Sequence, residues 1–286
     1  MKLILGDNQF FGVNHSDLKK AAITRELFGS HESIVDFIKK SINIGLDGFM
    51  INSNDLGFKV VEEFNFKKYN AECHYSIPYP HKYAGIVNDS GMIALVSLVL
   101  ARVRLKDVFS VLKFALTFNA VHFLPIILRM EIPKSLPKGS VVYLQNVVTD
   151  LVMGLNNGDE ILSAYIKSVK SMGYMPGFIT LNPTSLVKVL KKSHSKDEVH
   201  LCFNINYSGF NVFPSVSRVE HAILDAKKYT KWKLMGMSIF SSGRSGVSII
   251  QSIKYVKSLE LDFVVFGSSK LENVFNNLSH FKSIKD

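Results

Sequence analysis

Eight strand-type runs alternate with helix-type segments along 286 residues, which predicts a single α/β domain, a closed (β/α)8 barrel spanning residues 1–286. Three observations carry that prediction. The strand runs are short, apolar or β-branched, as strands of a parallel sheet covered on both faces must be. No Pro/Gly/Ser-rich linker, charge block, low-complexity stretch or repeated motif divides the chain. The first strand lacks a G-x-G-x-x-G turn, which removes the main argument for an open, doubly wound sheet. The length also suits one barrel.

In chain order, Lys2–Gly6 reads as the first strand and runs into the polar turn Asp7-Asn8-Gln9. A helix over His31–Ile44, a strand over Gly48–Asn52 and a helix over Asp55–Phe66 follow. The third strand is Glu72–Ile77, and the long apolar stretch Gly91–His122 reads as two helices. Pro125, Pro133 and Pro137 lie close together and predict the loop that enters strand four, Ser140–Val147. A helix over Asp159–Met172 precedes strand five, Pro176–Leu181. Asn182-Pro183-Thr184-Ser185 then offers capping side chains and an early helical proline for the helix Thr184–Lys192. The remaining units are Val199–Asn206 with Ser217–Tyr229, Lys233–Ile239 with Ser245–Leu259, and Asp262–Phe266 with Leu271–Phe281.

The composition is that of a globular chain: 47% hydrophobic and 20% charged residues supply a sizeable core. The formal charge of +10 favours acidic partners, but no basic run or RNA-binding signature concentrates it, so nucleic acid is not expected. Cys73 and Cys202, each inside a strand run, read as buried free thiols of a reducing compartment and point to a cytoplasmic protein. The apolar run at the N-terminus is too short for a signal peptide. The region from Gly91 to Met130 is interrupted by Arg102, Arg104, Lys106, Asp107 and Lys113, so no transmembrane segment is expected.

In a barrel of this kind, chemistry sits at the C-terminal ends of the strands. Those ends form a polar ring: Asp7, Asn8 and Gln9, then Asn52-Ser53-Asn54-Asp55, then Ser76, then Gln145-Asn146, Asn182, Asn204, Asn206 and Tyr207. Asn8, Asn52, Gln145, Asn146, Asn206 and Tyr207 are the candidate substrate-binding residues. Amides hold hydroxyl and carboxamide groups but do not move protons, so acid–base work falls to Asp7, Asp55, His81, Lys82, Tyr83 or Tyr207. The segment Pro78-Tyr-Pro-His-Lys-Tyr83 concentrates three proton-transfer groups, and a Lys beside a His cation has a lowered pKa. Against it, consecutive side chains of extended backbone point to opposite sides. Asp7 has a plain alternative as a turn cap, Asp55 as a helix N-cap, and Tyr207 as a packing residue. No HExxH, paired-Cys, Walker-type or G-x-S-x-G pattern occurs, and no metal is expected.

Two turns stand out near the C-terminus. KLMGMSIFSSGRSG (233–246) is a strand ending in Ser241-Ser242-Gly243-Arg244, and DFVVFGSSK (262–270) a strand ending in Gly267-Ser268-Ser269-Lys270. The loops after strands seven and eight often form a phosphate site from backbone N–H groups and a helix N-terminus. The pair predicts an anionic ligand: a nucleotide, a sugar phosphate or a phosphorylated cofactor.

Residues from about 140 to the C-terminus resemble the aldo-keto reductase superfamily. Gly173 to Leu190 looks like its fifth unit, with Asn182 matching the asparagine that holds the nicotinamide carboxamide. Phe203-Asn204-Ile205-Asn206-Tyr207 is similar to the sixth-strand region, with Asn204 where the carboxamide-binding Gln lies. Val265-Phe266-Gly267-Ser268-Ser269 with Glu272 and Asn276-Asn277 resembles the segment that grips the adenosine phosphate and adenine, which would give Asn277 a cofactor role. The resemblance implies an NADP- or NAD-dependent barrel. The first half departs from the pattern, since the strand-two Asp with its Tyr, the strand-three Lys and the strand-four His have no counterparts. Met237-Ser238-Ile239-Phe240 also lacks the aromatic that stacks on nicotinamide. The opening Gly6–Gly12 and the Pro78–Tyr83 stretch look like a little-characterised branch of reductase-like barrels found among bacterial surface-polysaccharide genes.

Two enzymatic expectations follow. One is a reductase-like oxidoreductase that binds nicotinamide and acts on a sugar-like carbonyl, with proton transfer reassigned to His81–Tyr83. The other is a non-redox aldolase, isomerase or epimerase acting on a phosphorylated sugar or nucleotide-sugar. A non-catalytic binding protein is the third.

Overall fold

The strands are buried at nearly every position, and the alternating direction of their side chains sorts these into two shells. In the computed structural model Leu3, Leu5, Phe49, Ile51, Tyr75, Val142 and Leu144 face outward into a layer shared with the helices. Ile4, Met50, Val141, Tyr143, Ile179, Cys202, Met235, Phe263 and Val265 point inward and fill the barrel. A period of two with both faces apolar is what a parallel barrel coated by helices demands. The structure describes residues 1–12, 23, 24, 26–78, 89, 90, 97, 101, 103, 104, 107–117, 120–122, 124–243 and 246–284.

The expected fold is the observed one. Strands β1 (Lys2–Leu5), β2 (Gly48–Asn52), β3 (Glu72–Ile77), β4 (Val141–Leu144), β5 (Met175–Thr180), β6 (Val199–Asn204), β7 (Trp232–Met237) and β8 (Phe263–Phe266) close in sequence order. All pairs are parallel, and β1 closes on β8 with Leu5 opposite Phe266. The helices described are α1 (His31–Ile44), α2 (Asp55–Glu63), α3 (Phe66–Tyr69), α4 (Val108–Thr117), α5 (Leu124–Glu131), α6 (Asn146–Met153), α7 (Gly158–Ser171), α8 (Pro183–Ser193), α9 (Val216–Ala226), α10 (Ile249–Ser258) and α11 (Leu271–Ser283). Side chains cap several of them: Ser30, Asn54, Asn182 and Ser215 each accept a first-turn N–H, and Ser248 with Gln251 forms a capping box.

Three local expectations need correction. The predicted helix Asp55–Phe66 breaks at Phe64, which is extended, and restarts because Asn65 caps a new turn by accepting from Lys68 N–H at 3.0 Å. Strand four ends at Leu144 rather than Val147, since Gln145 turns the chain into α6 and Thr149 Oγ1 donates to the Leu144 carbonyl at 3.0 Å. The β-branched Val147 read as the last strand residue, but contacts outside the segment decided its state. Pro125 lies in the first turn of α5, where its missing N–H has no helical partner to lose, so only Pro133 and Pro137 remain for the loop entering β4.

Cys73 and Cys202 are both buried and free. Tyr143 lies across β5 so closely that a Cβ on Gly177 would sit 2.5 Å from its Cδ1. Gly177→Ala is therefore expected to destabilise the barrel by roughly 1–3 kcal/mol, the usual cost of overpacking, read as a lower urea midpoint at unchanged m-value.

Candidate active site

The barrel mouth is organised around one carboxylate. Asp7 follows β1 directly and is 5% exposed. Its Oδ2 accepts two hydrogen bonds from Asn52 at the end of β2, from the backbone N–H and from Nδ2, both at 2.7 Å. Asn52 Oδ1 in turn accepts from Gln145 Nε2 at the end of β4. The chain Gln145–Asn52–Asp7 thus joins three strand ends, and the Asn52 groups engage only one of the two Asp7 carboxylate oxygens. Burial pushes the Asp7 carboxyl up from its ordinary 3.8 to about 6, against the two Asn52 hydrogen bonds that pull it down.

Local packing holds this chain in place. A Cβ on Gly57 would lie 2.0 Å from the Asn52 carbonyl oxygen, so the first turn of α2 presses on the end of β2 at a position open only to glycine. Ser76, opposite Asn52 in the β2–β3 register, is 1% exposed, and its Oγ makes no hydrogen bond. By strand alternation from His74 it lies on the inner face, between Asn52 and the β4 end. Gln9 donates from Nε2 to the Gly6 carbonyl at 2.6 Å, while its Oε1 is buried without a partner beside Gly267, where a Cβ would be 2.5 Å away.

The turn after β8 lies next to Asp7. Gly6 N–H donates to the Phe266 carbonyl at 2.9 Å, so Asp7 and Gly267 leave adjacent strands together. Ser268 is buried, and its Oγ accepts from Lys270 N–H at 3.2 Å. The backbone N–H groups of Ser268 and Ser269 have no acceptor among the described residues, and α11 starts without a side-chain cap. Asn277 sits on the buried face of that helix. In the turn after β7, Ser238, Ser241, Ser242 and Gly243 all take left-handed φ of 50–72°. Left-handed serines are a form of local strain that clusters at functional sites. Ser241 and Gly243 donate their N–H groups back to Ser238 and Phe240, and Ser241 Oγ meets Ser208 Oγ at 2.7 Å. Ser242 N–H has no acceptor among the described residues. Arg244 lies outside the described residues, as do His81, Lys82 and Tyr83.

A separate cavity of about 860 Å³ opens where the loops after β4, β5 and β6 meet. Asn182 and Asn204 both line it, with Asp150, Asn211, Leu181 and Phe213. Asn182 uses Oδ1 to cap α8 through Ser185 N–H at 3.2 Å, leaving Nδ2 without a described partner. Asn204 uses both amide atoms, one bond at each: Nδ2 donates to the Asn211 carbonyl at 2.9 Å, and Oδ1 accepts from Ser238 Oγ at 2.8 Å. Asn206 closes its own loop, bonding both Phe210 main-chain groups and Ser208. Tyr207 is exposed against Tyr255, with ring centroids 5.8 Å apart. Asn8 is exposed in the turn after β1, and Asn146 begins α6 half-buried. Asp55 is exposed on the first turn of α2, where Asn54 rather than Asp55 is the cap.

Sequence reasoning missed Asp150, which accepts from Thr180 Oγ1 and from Leu181 N–H at 3.0 Å and so ties α6 to the end of β5. No local signal marks it, because it sits in a stretch assigned to no element.

No protein-family model matches the chain, and no curated protein does. Among solved structures it is similar to wild-type HPPK-DHPS of Plasmodium falciparum with SDX-DHP. The identity is 12% and the TM-score 0.33, with all of this chain and 48% of that one covered. The chain therefore spans about half of that protein, and a likeness so slight carries nothing about activity.

Proposed function

We propose that the protein is a barrel enzyme that moves protons by general acid–base catalysis on a phosphorylated, sugar-like carbonyl compound, with Asp7 as the proton-moving group. This is the isomerase, epimerase or aldolase reading of the sequence. The observation that carries it is the buried Asp7 carboxyl, raised to about 6 and backed by Asn52 and Gln145. A carboxyl of that pKa is mostly ionised at pH 7 yet remains a competent acid, the balance that general acid–base catalysis favours. Oδ1, which Asn52 does not engage, would take a proton from the carbon beside a carbonyl and return it to the neighbouring carbon or oxygen. Ser76, Gln9 and Gln145 supply polar groups for substrate hydroxyls, and the Ser268–Ser269 turn with Lys270 would hold the phosphate one strand away.

The nicotinamide-dependent reductase is the second reading, favoured by Asn182 and Asn204 sharing one cavity. The bonds of Asn204 to Asn211 and Ser238 hold its amide in place and leave one N–H and one lone pair for a carboxamide, so this reading rests on the shared cavity alone.

The test is exchange of solvent deuterium into carbon-bound positions of a panel of aldose and ketose phosphates, without any nicotinamide. Exchange into at least one compound, weakened about tenfold or more in binding by Lys270→Ala at low salt, is the expected result. No exchange anywhere, with NADPH or NADH raising the melting temperature instead, gives the site to the reductase reading. A ligand at a hundred times its dissociation constant stabilises by about 2.7 kcal/mol, so the shift is measurable.

A further inference from the structure

Helix α4, in the connection between β3 and β4, presents an apolar face to solvent. Phe109 is 77% exposed, Leu116 74%, Leu112 54% and Val108 51%. At 100° per residue these four side chains fall within an arc of about 100° on the helix, with the exposed Lys113 beyond its edge and the exposed Arg104 just before the helix starts. A contiguous patch of large apolar side chains at a surface marks an interaction site.

The charge around the patch decides what it fits. In sequence, residues 91–130 contain Arg102, Arg104, Lys106, Lys113 and Arg129 against a single acid, Asp107. Asp107 is buried and pairs with Arg129 at 2.5 Å, so the two cancel, and the described basic groups exposed beside the patch are Arg104 and Lys113. A second copy would bring the same basic surface onto itself, with +10 on each chain, and be repelled. An anionic bilayer is attracted by the basic residues and takes up the Phe and Leu side chains at its headgroup boundary. No described helix is long and apolar enough to cross a membrane, so the contact lies in the interface plane.

We propose that the exposed face of α4 is a docking surface for an anionic lipid bilayer, which seats the barrel on the membrane by Val108, Phe109, Leu112 and Leu116. The experiment is flotation of the full chain with two kinds of vesicle. One kind is phosphatidylcholine alone; the other contains about 30% phosphatidylglycerol, which supplies a negative surface potential. The expected result is flotation with the anionic vesicles, little with the neutral ones, and release at about 0.5 M salt, where screening is strong. Phe109→Glu with Leu116→Glu is expected to lower the bound fraction about tenfold or more while leaving the melting temperature unchanged, since both side chains lie outside the core. Lys113→Glu is expected to weaken only the anionic binding. The proposal is overturned if the wild type binds neither vesicle, or if binding survives the double variant. Dimers that the double variant dissociates, without vesicle binding, would give the face to a second copy instead.

Discussion

Asp7→Asn is expected to cut proton-transfer turnover about a hundredfold or more and, at pH 7, to make the fold more stable than the wild type. The first effect is the usual size of a general acid–base contribution. The second follows from linkage. Burial, opposed by the Asn52 hydrogen bonds, raises the folded-state pKa to about 6, while the unfolded chain keeps 3.8. The folded state thus binds the proton more tightly, and the stability this group contributes is fully present below pH 3.8 and lost as pH rises through 6. At about 1.4 kcal/mol per pKa unit, ionising Asp7 costs the fold on the order of 3 kcal/mol at neutral pH. Asparagine keeps an acceptor for the Asn52 groups without the buried charge. Urea unfolding at pH 7 should show the variant ahead, and the gap should close as pH falls toward 4. A variant that is less stable at pH 7, or a gap independent of pH, would show that the carboxyl is not desolvated. A function gained at the expense of stability is common at catalytic positions.

Acid should act on the fold through a different pair. His74 and His200 lie inside the barrel toward its N-terminal end, 0% and 6% exposed, with ring centroids 6.4 Å apart and Phe263 against both. His74 Nδ1 meets Tyr143 OH at 3.2 Å, whereas His200 Nδ1 is buried without a hydrogen bond. Burial first, and the neighbouring His74 second, push His200 down to about 3; burial also lowers His74, with Glu72 opposing. Here the unfolded state binds the protons, so stability is lost as pH falls below 6.5 toward 3, by about 1.4 kcal/mol per pH unit for His200 and in the same direction for His74. Between pH 6.5 and 5 His200 alone removes on the order of 2 kcal/mol. Asp7 works in the opposite sense between 3.8 and 6, so the measurement compares chains that all retain it. His200→Leu removes a buried ring whose Nδ1 has no hydrogen bond and should make the urea midpoint clearly less acid-sensitive between pH 6.5 and 5. A midpoint equally acid-sensitive in this variant would place the titrating groups elsewhere.

Architecture was legible in the residues because it is encoded locally. A run such as Gly48–Asn52 declares itself as a buried strand within a handful of side chains, and the cap at Asn182 marks a helix start within four. The polar ring at the strand ends was readable for the same reason, since each member immediately follows an apolar run. Where local signals conflicted, as at Val147, the reading extended β4 into what is a helix, because propensity yields to contacts made elsewhere in the chain.

The composition of the site was settled at longer range. Asn52 and Gln145 are 93 positions apart, and Asp7 is 45 from Asn52, yet barrel closure and register bring the three into one hydrogen-bonded chain. Among equivalent amides, closure also engages Asn204 with Ser238 and Asn211 but leaves Asn182 a free donor. Pairing in space depends on the register of all eight strands together, and desolvation depends on every atom packed around a group. A periodic pattern carries neither quantity. It could name Asp7 as one acid among several, and only its burial at the barrel mouth lifts the carboxyl to about 6 and singles it out.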